Sequence, residues 1–472
     1  MKVSSSSYLQ QKKPLLRKLQ QTLSARFDRA SVLAADECQH SWFVDASGIT
    51  ASESDRMGRR GFVARVFDGG ACMEYAASDI TEESIPVIAE KIAGDLKKMR
   101  LSFESCPALP DEEAEISYVK STEYRVHPEE TGDEEILRRL TGVREEALKT
   151  DERLLDCSVS LQNHIYHKLF LSDKKDLEQN CMHTCGGVAV MARKCDEIKD
   201  SYRSFSGMCG LELIESMSGA VGECVKNACD LLFAEPLEPG MYECVCTPEV
   251  TGMIVHEAFG HGVEMDMFVK DRALAKNCMG EMLASSLVNM RDGAAAADEV
   301  ASFFFDDEGN EAGNTLILDH GKLVSGMADS LSAGRLGVKP TGNGRRESVE
   351  RKAYTRMTNT FFEGGNNTPE EMIASVKNGL LLCEPSSGME DPKNWGIQCM
   401  VSYAREIRDG KLTGRVFSPI ILSGYVPDLL RSISMMSPGV ELSGSGACGK
   451  GYKEWVKVSD GGPWIKAMIR LG

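Results

Sequence analysis

An α+β fold in two parts, rather than a doubly wound α/β sheet, is what this 472-residue sequence predicts. Three observations lead there. Helical patterns alternate with hairpin signals, whereas a parallel sheet needs a crossover helix between single buried strands. The turn dipeptides of the second half are mostly those of antiparallel ribbons. Pro236, Pro239 and Gly240 break the pattern near residue 235. The expectation is an N-terminal mixed α/β-sheet domain, residues 1–235, and a β-rich antiparallel domain, residues 236–472, carrying a metal site. A chain of this length can bury cores for two or three domains.

In order along the chain, residues 1 to about 30 read as a polar helix or a frayed terminus. Phe62-Val63-Ala64-Arg65-Val66-Phe67 follows as a strand, and Asp68-Gly69-Gly70 supplies a tight hairpin turn. A helix capped by Asp79 or Thr81 carries the stripe Ile85, Ile88, Ile92 and Leu96. A second helix starts from a capping box at Thr131-Gly132-Asp133-Glu134 and buries Ile136, Leu140 and Val143. Strands return between about 155 and 205, and Leu211 to Phe233 reads as helix. Beyond the boundary, Asp319-His320-Gly321-Lys322 and Asp409-Gly410 mark hairpins, the second suiting a type I′ turn. Thr368-Pro369-Glu370-Glu371 supplies an N-cap, a proline at the first helical position and a capping-box glutamate, with Met372, Ile373 and Val376 as the apolar face.

Composition narrows the function classes. A net charge of −17 excludes a phosphate-backbone binder, which needs clustered Lys and Arg, so no direct nucleic-acid partner is expected. No apolar run approaches the ~20 residues that span a bilayer, so no membrane association is expected either. Met1 to Gln20 lacks the hydrophobic stretch of an export signal. Without one, the 16 cysteines are expected to be mostly reduced and buried, and the protein soluble and cytoplasmic.

The segment that carries chemistry is His256-Glu257-Ala258-Phe259-Gly260-His261. Neutral imidazole is a good zinc ligand, and an adjacent glutamate can take a proton from water. The spacing is one residue longer than His-Glu-x-x-His. Positions five apart on a regular α-helix diverge by ~140°. Both rings reach one metal only if the helix widens to π geometry or ends between them, and Gly260 is a residue type that permits this. A catalytic zinc has three protein ligands and an open position. Glu264, three residues on, is the local candidate for the third. Cys448, in Gly444-Ser445-Gly446-Ala447-Cys448-Gly449-Lys450-Gly451, is the remote one, and Lys450 would hold its sulfur as thiolate.

The motif His256-Glu257-x-x-x-His261 with Gly262-Val263-Glu264-x-Asp266 resembles the signature of the TldD/PmbA family of metallopeptidases. Phe305-Asp306-Asp307-Glu308-Gly309, Gly342-Asn343-Gly344-Arg345-Arg346, Arg356-Met357-Thr358-Asn359-Thr360 and Cys448-Gly449-Lys450 agree with it in order. The likeness runs from about residue 30 to the C-terminus and is strongest from 250 to 450. One departure is Gly451-Tyr452, where family members often place a Gly-Gln pair shortly after the Cys-Gly-Lys. The resemblance implies a TldD-type subunit that binds Zn2+ through His256, His261 and Cys448, with Glu257 as catalytic base. It implies hydrolysis of unfolded or extended peptides inside a dimer, either a homodimer or a heterodimer with a PmbA/TldE-type partner. The competing reading is a non-catalytic binding or scaffold protein with a structural or vestigial metal, but such a site normally closes four ligands and needs no base.

Several residues stand beside this core hypothesis. Tyr354, Arg356 and Asn359 are candidates for stabilising an oxyanion. Glu264 and Asp266 can orient the histidines as outer acceptors. Cys181, His183 and Cys185 alternate at strand spacing and share one face, the expectation being core packing. His164 and His167, three apart in a strand, face opposite sides and receive no chemistry.

Overall fold

The computed structural model describes residues 1–54, 60–99, 115–451 and 453–472. Its first part runs α1 (Ser7–Ser24), β1 (Arg29–Asp45), β2 (Gly48–Ser54), β3 (Gly61–Asp68), β4 (Ala71–Ala77), α2 (Ser84–Met99), β5 (Ile116–Ser121), α3 (Pro128–Thr131), α4 (Asp133–Leu148), β6 (Leu154–Leu171), β7 (Lys175–Lys194), β8 (Glu197–Gly207) and α5 (Ile214–Leu231). The eight strands form one sheet in the order β4-β3-β1-β6-β7-β5, with β2 beside β1 and β8 beside β7. Only β5 joins in parallel. Between β3 and β4 the two-residue loop is Gly69-Gly70, both at positive φ (53° and 78°), as the expected hairpin requires.

Strand periodicity gives the sheet two working faces. Val32, Ala34, Trp42 and Val44 of β1 share a face with Val159, Leu161, Leu169 and Leu171 of β6, and helices cover that face. The α1–α2 pair takes one end, with Ile85, Ile88, Ile92 and Leu96 buried, and α4–α5 the other. The opposite face offers Leu33, Phe170 and Leu177, which with Val63 of β3 pack on Phe305 from the second part of the chain. Around that contact Lys168 pairs with Asp307 at 2.6 Å, Arg65 pairs with Glu308, and Lys175 Nζ donates to the Gly309 carbonyl at 2.8 Å.

One expectation needs correcting. Thr131 opens no capping box, because its hydroxyl donates back to the His127 carbonyl and closes α3. Gly132 is the N-cap of α4 and makes no side-chain cap bond. The stripe Ile136, Leu140 and Val143 is nonetheless buried, since tertiary burial and not the cap fixes that helix.

The second part opens with β9 (Gly240–Cys246) and α6 (Pro248–Met253). β9 pairs with Asn378–Asp391 on one side and Ile465–Leu471 on the other. Asn378–Asp391 pairs with Gly396–Arg408, which pairs with Ile420–Tyr425, which returns to Ile465–Leu471. The five strands thus close on themselves, and α6 packs on the core they share. A six-stranded sheet stands beside this ring. Both are mainly antiparallel, as expected; the parallel exceptions are β9 with Asn378–Asp391 and Asn359–Phe362 with Ser459–Gly462. Asp409-Gly410 turns the hairpin after Gly396–Arg408, and the Thr368–Glu371 capping box forms with both of its bonds. The fold is α+β. Among the described residues no helix is long and apolar enough to cross a membrane.

Candidate metal centre

Thr247 and Pro248 start α6, which widens to π geometry over Ile254–Gly260 and tightens to a 3-10 turn at His261–Val263. The wider turn absorbs the extra residue of the motif, because i→i+5 bonding returns positions five apart to one side. The His256 and His261 rings meet at 5.0 Å between centroids and 88° between planes. Gly260 contributes through space rather than unusual torsion. Its φ and ψ are helical (−58°, −48°), and a Cβ there would lie 2.4 Å from Met357 Sδ.

Cys448, on the short strand Ala447–Cys448, reaches the two histidines across the fold. Its Sγ is 3.3 Å from His256 Nε2 and 3.5 Å from His261 Nε2, and the three donor atoms all lie within 4.8 Å of one another. A zinc ion at ordinary bond lengths and the tetrahedral angle sets sulfur and nitrogen about 3.6 Å apart. The donor set therefore fits such an ion in both chemistry and spacing. Glu257 borders it, with Oε2 4.0 Å from His261 Nε2.

The surroundings orient the rings. Glu264 Oε2 stands 3.4 Å from His261 Nδ1, on the side of the ring away from Cys448. Glu264 is 2% exposed and is also held by Lys450 Nζ at 3.2 Å. Asp460 Oδ2 stands 3.5 Å from His256 Nδ1, a nitrogen left without a hydrogen bond. Burial disfavours the charged form of both imidazoles. For His256 burial prevails and, aided by the neighbouring His261 charge, pulls the ring down to about 3. For His261 burial also opposes the charge, but the Cys448 sulfur and the Glu264 carboxylate outweigh it and hold the ring above the ordinary imidazole range. Burial also raises Glu257, and burial with the Glu257 charge raises Asp460 to about 7.

Other expectations fare differently. Lys450 does not serve the sulfur; its ammonium donates to Glu264, to Asp266 at 2.8 Å and to the Thr355 carbonyl at 3.0 Å. None of Tyr354, Arg356 and Asn359 lines the cleft. Arg356 instead donates to the Cys448 carbonyl at 2.8 Å and to that of Glu454, anchoring the cysteine loop. Cys181, His183 and Cys185 share the inner face of β7 without gathering into a metal cluster, and His183 packs edge-on to His164. Tyr452 lies outside the described residues.

Sequence reasoning missed Asp460 and the strand Glu384–Glu390. Asp460 sits in Ser459-Asp460-Gly461-Gly462, which carries no signal beyond a turn-like composition. Gly388 lies flat against the base candidate, since a Cβ there would come 2.5 Å from Glu257 Cγ. Asn378–Asp391 pairs with β9 only over Gly379–Leu382, so among the described residues one strand edge is open from Glu384 to Glu390. That edge, the histidines, Glu257 and Cys448 line one cleft of about 910 Å³.

Residues 239–466 match the family model described as the PmbA/TldA metallopeptidase C-terminal domain. A metalloprotease of Methanocaldococcus jannaschii is 29% identical over 323 residues, covering 68% of this chain and 71% of that protein. A zinc metalloprotease TldD homolog of Saccharolobus solfataricus is 27% identical over 319 residues, covering 67% and 71%. Across the curated relatives, the matched region spans between 50% and 71% of their lengths. In three dimensions the chain superposes on TldE from Thermococcus kodakarensis with a TM-score of 0.73 at 17% identity, covering 96% of this chain and 99% of that one. The family model and the TldD-type relatives assign the cleft-forming part, residues 239–466, to the PmbA/TldD metallopeptidase family, and the superposition shows that nearly the whole chain shares the fold of TldE.

Proposed function

We propose that this protein is a TldD-type zinc peptidase that hydrolyses unfolded or extended peptides inside a dimer. The observation that carries this reading is a His, His, Cys donor set at zinc spacing with a glutamate on its rim, opening into a cleft walled by a free strand edge. His256, His261 and Cys448 would hold the ion. When bound, zinc acts as a Lewis acid and makes water acidic enough to ionise near neutral pH. Glu257, raised by burial, is suited to accept a proton from attacking water and return it to the leaving amine. Glu264 and Asp460 would fix the two rings from behind.

The open edge from Glu384 to Glu390 supports an extended substrate. Unpaired backbone groups there can bond a peptide as an added strand, which recognises main chain before side chains. Met389 and Trp455 line the cleft yet remain exposed, an apolar rim that a second subunit would cover. That subunit is a second copy or a PmbA/TldE-type partner. A division of the chain near residue 235 belongs to the same reading, since β1 to β8 precede it and the closed ring follows it. The described cysteines are free thiols, the state a reducing cytoplasm maintains.

Metal analysis of the wild type beside Cys448→Ser tests the reading. About one zinc bound at the His256–His261 centre, lost or much weakened in the variant, is the expected result. Full retention of that zinc by Cys448→Ser would remove the cysteine from the donor set, and its absence from the wild type would favour a non-catalytic binding protein.

A further inference from the structure

On the helix-covered face of the first sheet, the two apolar cores leave a gap. Val32 and Ala34 lie under α1 and α2, Trp42 and Val44 under α4 and α5, and between them β1 presents Asp36, Cys38 and His40. Cys38 and His40 share that face by strand period, and Glu53 of β2 is the cross-strand partner of His40. The three side chains converge. Cys38 Sγ is 3.3 Å from His40 Nε2 and 3.4 Å from Glu53 Oε1, and the three donor atoms lie within 4.8 Å of one another.

We infer that Cys38, His40 and Glu53 form a second metal site, separate from the cleft, that takes a borderline-soft divalent cation such as zinc. The sulfur–nitrogen and sulfur–oxygen separations approach the ~3.6 Å edge of a tetrahedral zinc site. Thiolate, imidazole and carboxylate are each zinc donors, and the three leave a fourth position to water. The hairpin presets the site: two ligands are successive residues on one strand face and the third is paired across the ladder. His40 is further held by stacking on Trp42, with ring centroids 5.8 Å apart and planes 15° apart. The indole is in turn fixed by its bond to Asp133 at 2.8 Å. A filled site would tie β2 to β1 where, among the described residues, no helix covers the sheet.

Cobalt substitution distinguishes this site from the cleft. Co2+ bound by a thiolate shows a near-ultraviolet charge-transfer band, and Cys448→Ser removes the only sulfur of the cleft donor set. Full-length Cys448→Ser protein, freed of metal by chelation and titrated with Co2+, is expected to show that band with about one equivalent bound. The band is expected to vanish in Cys448→Ser/Cys38→Ser. In Cys448→Ser/His40→Gln the affinity is expected to fall. Cys38 and His40 are only part-buried and outside the packed cores, so an unchanged circular dichroism spectrum is expected for each variant. Absence of the band in Cys448→Ser, or its survival without Cys38, would overturn the assignment and leave the cluster a thiol hydrogen-bonded to its neighbours.

Discussion

Gly388 offers the sharpest test of how the cleft aims its base. It lies on the open-edged stretch of strand, and a methyl group placed there would come 2.5 Å from Glu257 Cγ, 2.8 Å from Glu257 Cβ and 3.0 Å from Cys399 Sγ. Ordinary contact begins near 3.4 Å, so in Gly388→Ala the Glu257 side chain must retreat by roughly 1 Å. Rotating its outer bonds does not help, because the clash already includes the first side-chain carbon. Misplacing a reacting group by about 1 Å costs about a hundredfold in rate, about 2.7 kcal/mol. The three atoms nearest that methyl group belong to Glu257 and Cys399 and none to the histidines or Cys448, so metal content should be unchanged. Alanine also restricts the unfolded chain, which offsets part of the steric cost to stability. The assay is kcat/KM on an unstructured peptide, with zinc per chain and the thermal midpoint measured on the same preparation. Activity within about twofold of wild type would refute the positioning argument. A rate loss that tracks loss of zinc would refute it differently, by showing that the strand supports the donors rather than the base.

Glu257→Gln keeps shape but cannot accept a proton; hydrolysis should fall at least ~10²-fold while the metal stays bound, and full activity with metal present would exclude the base role. Gly260→Ala sets a helix-propensity gain of ~1 kcal/mol against overpacking of about 1–3 kcal/mol, because the new methyl meets the fully buried Met357 sulfur at 2.4 Å. The steric cost should win, and a variant melting at or above the wild-type temperature would show that the glycine is not there for space. Asp307→Asn takes the carboxylate from the part-buried Lys168 ammonium and should weaken the docking of the two parts by up to about 3 kcal/mol in denaturant titration. That pairing also sets an acid limit. Burial pushes the Asp307 carboxyl up, but Lys168 and Arg346 outweigh it and hold it below the ordinary carboxylate range. Its contribution is therefore complete above pH ~4 and is lost as pH falls through the lowered value. A wild-type and Asp307→Asn difference that fails to shrink as the pH is lowered below ~4 would contradict this sign.

Local physics made much of this protein legible from its sequence. Gly69-Gly70 and Asp409-Gly410 prescribe their hairpins because two-residue loops of this twist need positive φ, and Thr368–Glu371 caps its helix with atoms only three residues apart. The stripe Ile85, Ile88, Ile92 and Leu96 announces its buried face by period alone. The His-Glu-x-x-x-His spacing by itself requires the helix to widen or to end between the two rings, since no regular α-helix brings positions five apart together, and the structure takes the first course. Tertiary structure decided what depends on partners distant in the chain. Cys448 stands 192 residues from His256, and Asp460 reaches the opposite nitrogen of that ring, so neither contact leaves a local pattern. Lys450 adjoins the cysteine in sequence yet turns to Glu264 and Asp266, because two buried carboxylates attract its charge more strongly than one sulfur. The same reason hid the Cys38–His40–Glu53 cluster, whose third member arrives through the pairing register of two strands. Sequence sets what each segment can form; which side chains meet is settled only when burial brings the segments together.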